Sequence, residues 1–288
     1  MKCLFLLLLI TPVLSIYHNT DILLKKIKLR CLVNPHITCE TINGILVVDW
    51  LKKELPERDE FWVFNEHARE RITGELALEV IQSLDVVRPL KRITIIPVLN
   101  EWGRKKVEEG DTCLRKNSNG VDTNRNYQIK TKHHYDTFSE EYEGPHPISE
   151  KESKLVSSIL QDGVKRYINV HSGEFSMYMP YDSNTNVPPH AEKMRSVLKQ
   201  IQPLCPQCTT GNAAKVSTYK AYGTSVDYAI RIGVPEAYTF EIYGTNAYDC
   251  HKMFNPRTHD QFIKNILMWK RIMFTVAIDD ALSTVQST

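Results

Sequence analysis

The chain has 288 residues, with 36 Lys and Arg against 34 Asp and Glu, a formal net charge of +2 and 42% hydrophobic residues. The near-balance of charge excludes the strong basic footprint of a nucleic-acid binder. The length suffices for one large α/β domain with a sizeable core.

The N-terminus opens Met1-Lys2, runs through an apolar stretch from Cys3 to Ile10 and continues Thr11-Pro12-Val13-Leu14-Ser15. A basic start, a short apolar run and small residues after it form a secretory signal pattern. The run is shorter than the roughly 20 residues a membrane span needs. We expect residues 1–15 to be a signal peptide cleaved near Ser15, and residues 16–288 to be a catalytic domain, secreted or held in the secretory lumen. No other segment is apolar and long enough to span a bilayer.

The spacing of Ile22, Leu23, Ile27 and Leu29 predicts a helix over 21–32 capped by Asp21. Strands are predicted at 45–48 and 61–64. A buried helix follows over 73–84, then a buried strand over 93–99. Residues 100–149 are polar and read as a long loop, of the kind that is usually functional or disordered. Beyond it the sequence predicts a helix over 150–160, a strand over 167–170, helices over 189–201 and 225–232, a strand over 237–243 and an apolar helix over 262–278. Strands alternating with helices argue for an α/β fold: a single domain with a central mixed, largely parallel sheet and helices on both faces.

Six cysteines remain beyond Cys3, an even number that suits disulfides in an oxidising compartment. Six allow 15 pairings; proximity in sequence favours Cys31–Cys39 and Cys205–Cys208, leaving Cys113–Cys250. Cys205-Pro-Gln-Cys208 also fits a redox or metal knuckle, although a structural zinc would need a second pair.

Chemistry gathers where strands end. His67 and Glu70 follow the strand 61–64, His171 follows the strand 167–170, and Glu241 lies within the last strand. Sites in open α/β sheets form at such strand ends. A His-x-x-Glu spacing occurs by chance in many chains; a second His from another strand completes the two-His, one-carboxylate set of a catalytic zinc, with a coordination position left for water. Glu241 is the candidate to take that water's proton and pass it on, because an isolated carboxylate in so apolar a strand is costly without a task or partner.

The motifs His67-Ala-Arg-Glu70, Arg115-Lys116-Asn117, Asp122-Thr123-Asn124-Arg125-Asn126, Val170-His171-Ser172, Tyr219 and Tyr238-Thr239-Phe240-Glu241 occur in one order. In that order the chain resembles zinc metallocarboxypeptidases of the carboxypeptidase A/B family. The resemblance implies one Zn2+ on His67, Glu70 and His171, and hydrolysis of the C-terminal peptide bond by zinc-bound water with Glu241 as general base and acid. It gives Arg115 the oxyanion, Asn124 and Arg125 the terminal carboxylate, Tyr219 the role of closing over the bound residue, and Asp122 that of orienting His67. The implied partners are peptide and protein C-termini; we expect a monomer.

The chain departs from the pattern in places. Gly173 stands where digestive members commonly carry Tyr, so one wall of a neighbouring subsite is expected to be missing. Val226 suits an apolar terminal side chain, whereas Asp182 can attract Lys or Arg, with Thr224 and Thr239 as neutral lining; the sequence supports both. About 50 residues separate Ser15 from His67, so an enzyme made active without a large prosegment is expected. Two other readings are a relative cleaving modified or γ-linked C-termini, which the intact Asn124–Arg125 clamp opposes, and a non-catalytic binding protein, which would usually have lost a ligand or Glu241.

Overall fold

Three buried strands with apolar stretches at their centres form the middle of the sheet. In the computed structural model, which describes residues 16–50, 59–84, 92–127 and 135–285, strand β3 is Glu60–Phe64, β5 is Arg166–His171 and β8 is Glu236–Ile242. They lie side by side and parallel. Every residue of β3 and β5 is buried, and successive side chains point to opposite faces, so both faces are covered, as parallel sheets require. Phe61, Trp62 and Phe64 are fully enclosed; each contributes roughly 1.5–3 kcal/mol by burial. The signal-peptide expectation for residues 1–15 lies outside the described residues.

Among the described residues the sheet has eight strands in the order β1-β2-β4-β3-β5-β8-β6-β7. β1 (Ile37–Ile42), β2 (Ile45–Trp50) and β4 (Ile93–Ile96) continue one side; β6 (Phe175–Met179) and β7 (Thr209–Asn212) continue the other. The β1–β2, β2–β4 and β6–β8 pairs are antiparallel, which makes the sheet mixed. Helix α1 (Thr20–Val33) packs on α2 (Arg71–Ser83), α2 on the long α9 (His259–Val285), and α7 (Ser225–Arg231) on β5 and β8.

One helix stands where the sequence reads as loop: α3 (Glu101–Glu108), started by the Asn100 side chain, which accepts from Gly103 N. Strand β4 stops before Pro97, shorter than its apolar run. The remaining described α-helices are α4 (Lys151–Leu160), α5 (Ala191–Ile201), α6 (Ala213–Val216) and α8 (Cys250–Phe254).

At the amino ends of the central strands Glu60, Arg166 and Glu236 are register partners and form a buried ion cluster. Arg166 donates to Glu60 at 3.1 Å and to Glu236 at 2.9 Å. A one-residue slip would separate these charges, so the cluster fixes the register and hence the positions at the carboxyl ends. All three disulfides favoured by sequence form: Cys31–Cys39, Cys113–Cys250 and Cys205–Cys208.

Candidate metal and substrate site

β3 ends at Asn65, whose φ of 50° lies in the left-handed region that Asn tolerates. Its side chain then holds the turn: the amide donates to the His67 carbonyl at 2.9 Å and its oxygen accepts from Arg104 at 2.8 Å. The chain thereby presents His67 and Glu70 before α2 begins. Asn255, at the end of α8, fixes the far side by accepting from Ile72 N and donating to the Arg69 carbonyl.

His171, the last residue of β5, meets them. His67, Glu70 and His171 are all buried, with one ligand atom from each within 4.8 Å of the others. The Nδ1 atoms of the two rings are 3.1 Å apart, and Glu70 spans them at 2.7 Å from His67 and 3.1 Å from His171. The outer nitrogens have their own neighbours: His67 Nε2 is 3.2 Å from Asp122, and His171 Nε2 is 3.3 Å from the Asn124 amide and 3.7 Å from Glu66. Two imidazoles and a carboxylate facing inward, each braced from behind, fit the donor set and supporting shell of a zinc site. Asp122 was expected behind His67; Glu66, buried behind His171 and accepting from Asn169 at 2.6 Å, was not singled out by the sequence. A carboxylate directly after an apolar strand was its one signal.

The charges interlock. Burial and Arg115 act against a proton on His67, but Glu70 and Asp122 outweigh them and raise its pKa. Burial would raise Asp122, yet Arg115, His67 and Arg125 hold it well below the usual carboxylate range. Arg115 Nε donates to Asp122 at 2.7 Å, so one carboxylate orients both a candidate ligand and a candidate oxyanion donor. Glu241 shows the reverse: burial, then Glu70 and Glu174, push it well above its ordinary value against the pull of Arg115. Its Oε2 is buried with no hydrogen-bond partner among the described residues.

The cluster opens into a cleft of about 520 Å³, its mouth included. The sequence-predicted residues Arg115, Asn124, Arg125, Asp182, Tyr219, Thr224, Thr239 and Glu241 line it together with His67 and His171; Glu174, Tyr178, Ala213, Ser217 and Ala221 complete the wall. Asn124 and Arg125 sit on a short 3-10 turn started by Asp122, and Ser225 N fixes the Asn124 oxygen at 2.9 Å. Tyr219 keeps 60% of its surface exposed.

Asp182 is buried, and burial together with Asp227 pushes its carboxyl up to about 8, against Thr224 and Arg125. Asp227 accepts from the backbone of Asp182 and Ser183 and from the Ser183 hydroxyl, holding this loop against α7. Thr224-x-x-Asp227 is a capping pattern visible in sequence, and Thr224 Oγ1 does accept from Asp227 N. Val226 belongs to the hydrophobic core and is not among the residues lining the cleft.

The flank beside Gly173 is filled from another element. A Cβ at position 173 would come within 3.1 Å of the Phe254 ring, and Arg69 stacks on that ring at 4.3 Å while pairing with Glu140 at 3.0 Å. Gly244 allows the backbones to meet there, since a Cβ on it would lie 2.1 Å from the Gly173 carbonyl.

A profile of zinc carboxypeptidases matches residues 40–266. Carboxypeptidase A4 of Mus musculus is 29% identical over 216 residues, 63% of this chain and 50% of that protein. Carboxypeptidase B of Helicoverpa zea is 31% identical over 180 residues, 53% of this chain and 42% of its own. The chain thus spans about half the length of these curated relatives. Among solved structures, bovine thrombin-activatable fibrinolysis inhibitor, in complex with a tick carboxypeptidase inhibitor, superposes with a TM-score of 0.79 at 22% identity, covering 93% of this chain and 98% of that one. Carboxypeptidase A from Helicoverpa armigera gives 0.75 at 19%, covering 91% and 73%.

Proposed function

This chain belongs to the zinc carboxypeptidase family, and from that premise we propose that it is a secreted exopeptidase that removes C-terminal residues from peptides and proteins, preferring Lys or Arg. The observation carrying the activity is the shared cleft: a buried guanidinium, Arg125, opens into the same space as the two-His, one-Glu cluster. An internal peptide bond offers Arg125 no carboxylate; a chain end does. Residues 1–15 are read as a cleaved signal, and the three disulfides support an oxidising compartment.

Zinc held by His67, Glu70 and His171 would supply Lewis acidity, polarising the scissile carbonyl and acidifying water. Glu241 takes the proton of the attacking water and returns it to the leaving amine; a carboxyl raised above its ordinary range suits both transfers. Arg115, oriented by Asp122, stabilises the charge developing on the carbonyl oxygen. Asn124 and Arg125 hold the terminal carboxylate, and Tyr219 closes over the bound residue.

The preference for a basic residue rests on Asp182, a buried carboxyl lining the cleft. A cationic side chain adds an opposite charge beside the Thr224 hydrogen bond; an apolar one adds none and covers the carboxyl further. The test is hydrolysis of peptides differing only in a terminal Lys, Arg, Leu or Phe, by wild type and Asp182→Asn. Faster release of Leu or Phe than of Lys or Arg by wild type would overturn the preference while leaving the peptidase reading intact.

A further inference from the structure

We propose that Glu141 is an internal substitute for the terminal carboxylate of a peptide, occupying Arg125 in the free protein and opposing every carboxylate that comes to bind. The inference rests on the reading of Arg125 as the carboxylate clamp. The Arg125 side chain is 2% exposed, and a guanidinium so enclosed needs a counter-charge whether or not a peptide is bound. Asp122 contributes negative charge from the core side, and Glu141 Oε1 bonds the group directly, accepting from Nη2 at 2.5 Å and from Nε at 3.2 Å. The Glu141 side chain is itself 33% exposed, so it meets Arg125 from the surface and has solvent to return to.

Its neighbours confine the movement to the side chain. Glu141 N donates to the Ser139 hydroxyl at 3.1 Å, and the Tyr142 carbonyl accepts from Asp122 N at 2.8 Å, so the backbone is held on both sides of Glu141. Arg125 does not depend on Glu141 alone for its place, because Nη1 donates to the Asn124 carbonyl at 3.0 Å.

A peptide carboxylate arriving at Arg125 meets the like charge of Glu141 and must displace it or share the guanidinium with it. Either route weakens binding through the carboxylate alone and makes productive binding depend on further contacts deeper in the cleft. Small free carboxylates are thereby discriminated against, by repulsion instead of by shape. Glu141 touches neither the His67–Glu70–His171 cluster nor Glu241, so its effect falls on binding and leaves the chemical step alone.

The test uses the zinc-loaded full chain and two non-cleaved peptides, identical except for a free acid or an amide at the C-terminus and ending in a D-residue, with affinities measured by calorimetry. For Glu141→Gln the acid peptide should bind about three- to tenfold tighter and the amide unchanged, while KM for a cleavable peptide falls with kcat constant. Unchanged or weaker binding of the acid peptide overturns the proposal and makes Glu141 a support for Arg125. Arg125→Met, or Arg125→Lys if the Met variant does not fold, tests the underlying reading separately. Weaker binding of the acid peptide alone upholds the clamp, and equal effects on both peptides reject it.

Discussion

His171 and Glu241 are register partners on the adjacent parallel strands β5 and β8. A candidate metal ligand and a candidate proton shuttle are therefore fixed by backbone pairing in the core, with no loop between them to drift. Their spacing is guarded from the opposite end of the same strands by the Glu60–Arg166–Glu236 cluster. Catalytic groups need placement to a fraction of an ångström, and rigid strands provide it.

Replacing Glu241 by Gln keeps its shape and removes its basicity. We expect kcat to fall by about 10²–10⁴-fold with zinc content unchanged, measured by peptide hydrolysis alongside metal analysis. Hydrolysis at the wild-type rate would show that the proton passes through another group.

Asp182 makes substrate preference depend on pH. With its carboxyl raised to about 8, ionisation increases as pH rises towards and through that value. KM for a Lys-terminated peptide should fall over this window, and Asp182→Asn should flatten the profile. Stability has the opposite sign: between the ordinary carboxylate range and about 8 the unfolded chain binds fewer protons at this position than the folded one, so the group's contribution worsens as pH rises. Asp182→Asn should accordingly raise Tm more at pH 8 than at pH 5, readable in two thermal melts.

Cys113–Cys250 joins positions 137 apart, tying the segment that leads to Arg115 to the start of α8, which carries Phe254. Replacing both cysteines by Ser should cost roughly 2–5 kcal/mol in denaturant unfolding. It should also raise KM, because Arg115 and the Arg69–Phe254 stack lose a common anchor. Loss of stability with KM unchanged would mean that the bridge serves the fold alone.

Arg166→Met removes the shared cation from two buried carboxylates and should destabilise by about 3–5 kcal/mol without abolishing zinc binding at lower temperature. Replacing Glu60, Arg166 and Glu236 together by apolar residues should recover much of that loss in the same unfolding assay.

The parts legible in sequence were those whose cause is local. β3, β5 and β8 are apolar runs closed by polar residues, and a His or Glu at their carboxyl ends stands out against them. Helix α3 was hidden because Arg104, Lys105, Lys106 and Glu108 make it as polar as the loop around it; Arg104 is buried all the same, through bonds to Asn65 and Glu75 that no window of sequence contains. β1 was missed as a polar edge strand with only Ile37 fully buried. Gly173 suggested a missing wall because Phe254, which fills that flank, lies 81 positions away in the chain. The Arg125–Glu141 pair was likewise invisible, since nothing local to Glu141 distinguishes it from Glu140 or Glu143.

The central claim is that Arg125 and the His67–Glu70–His171 cluster act together on chain ends. Its most direct test is mass spectrometry of one Lys-terminated peptide, supplied as the free acid and as the amide, incubated with zinc-loaded protein, with protein stripped by chelator, and with stripped protein given zinc again. The account predicts loss of single C-terminal residues from the acid only, abolished by stripping and restored by zinc. Equal cleavage of the amide, release of internal fragments, or full activity after verified removal of zinc would contradict it.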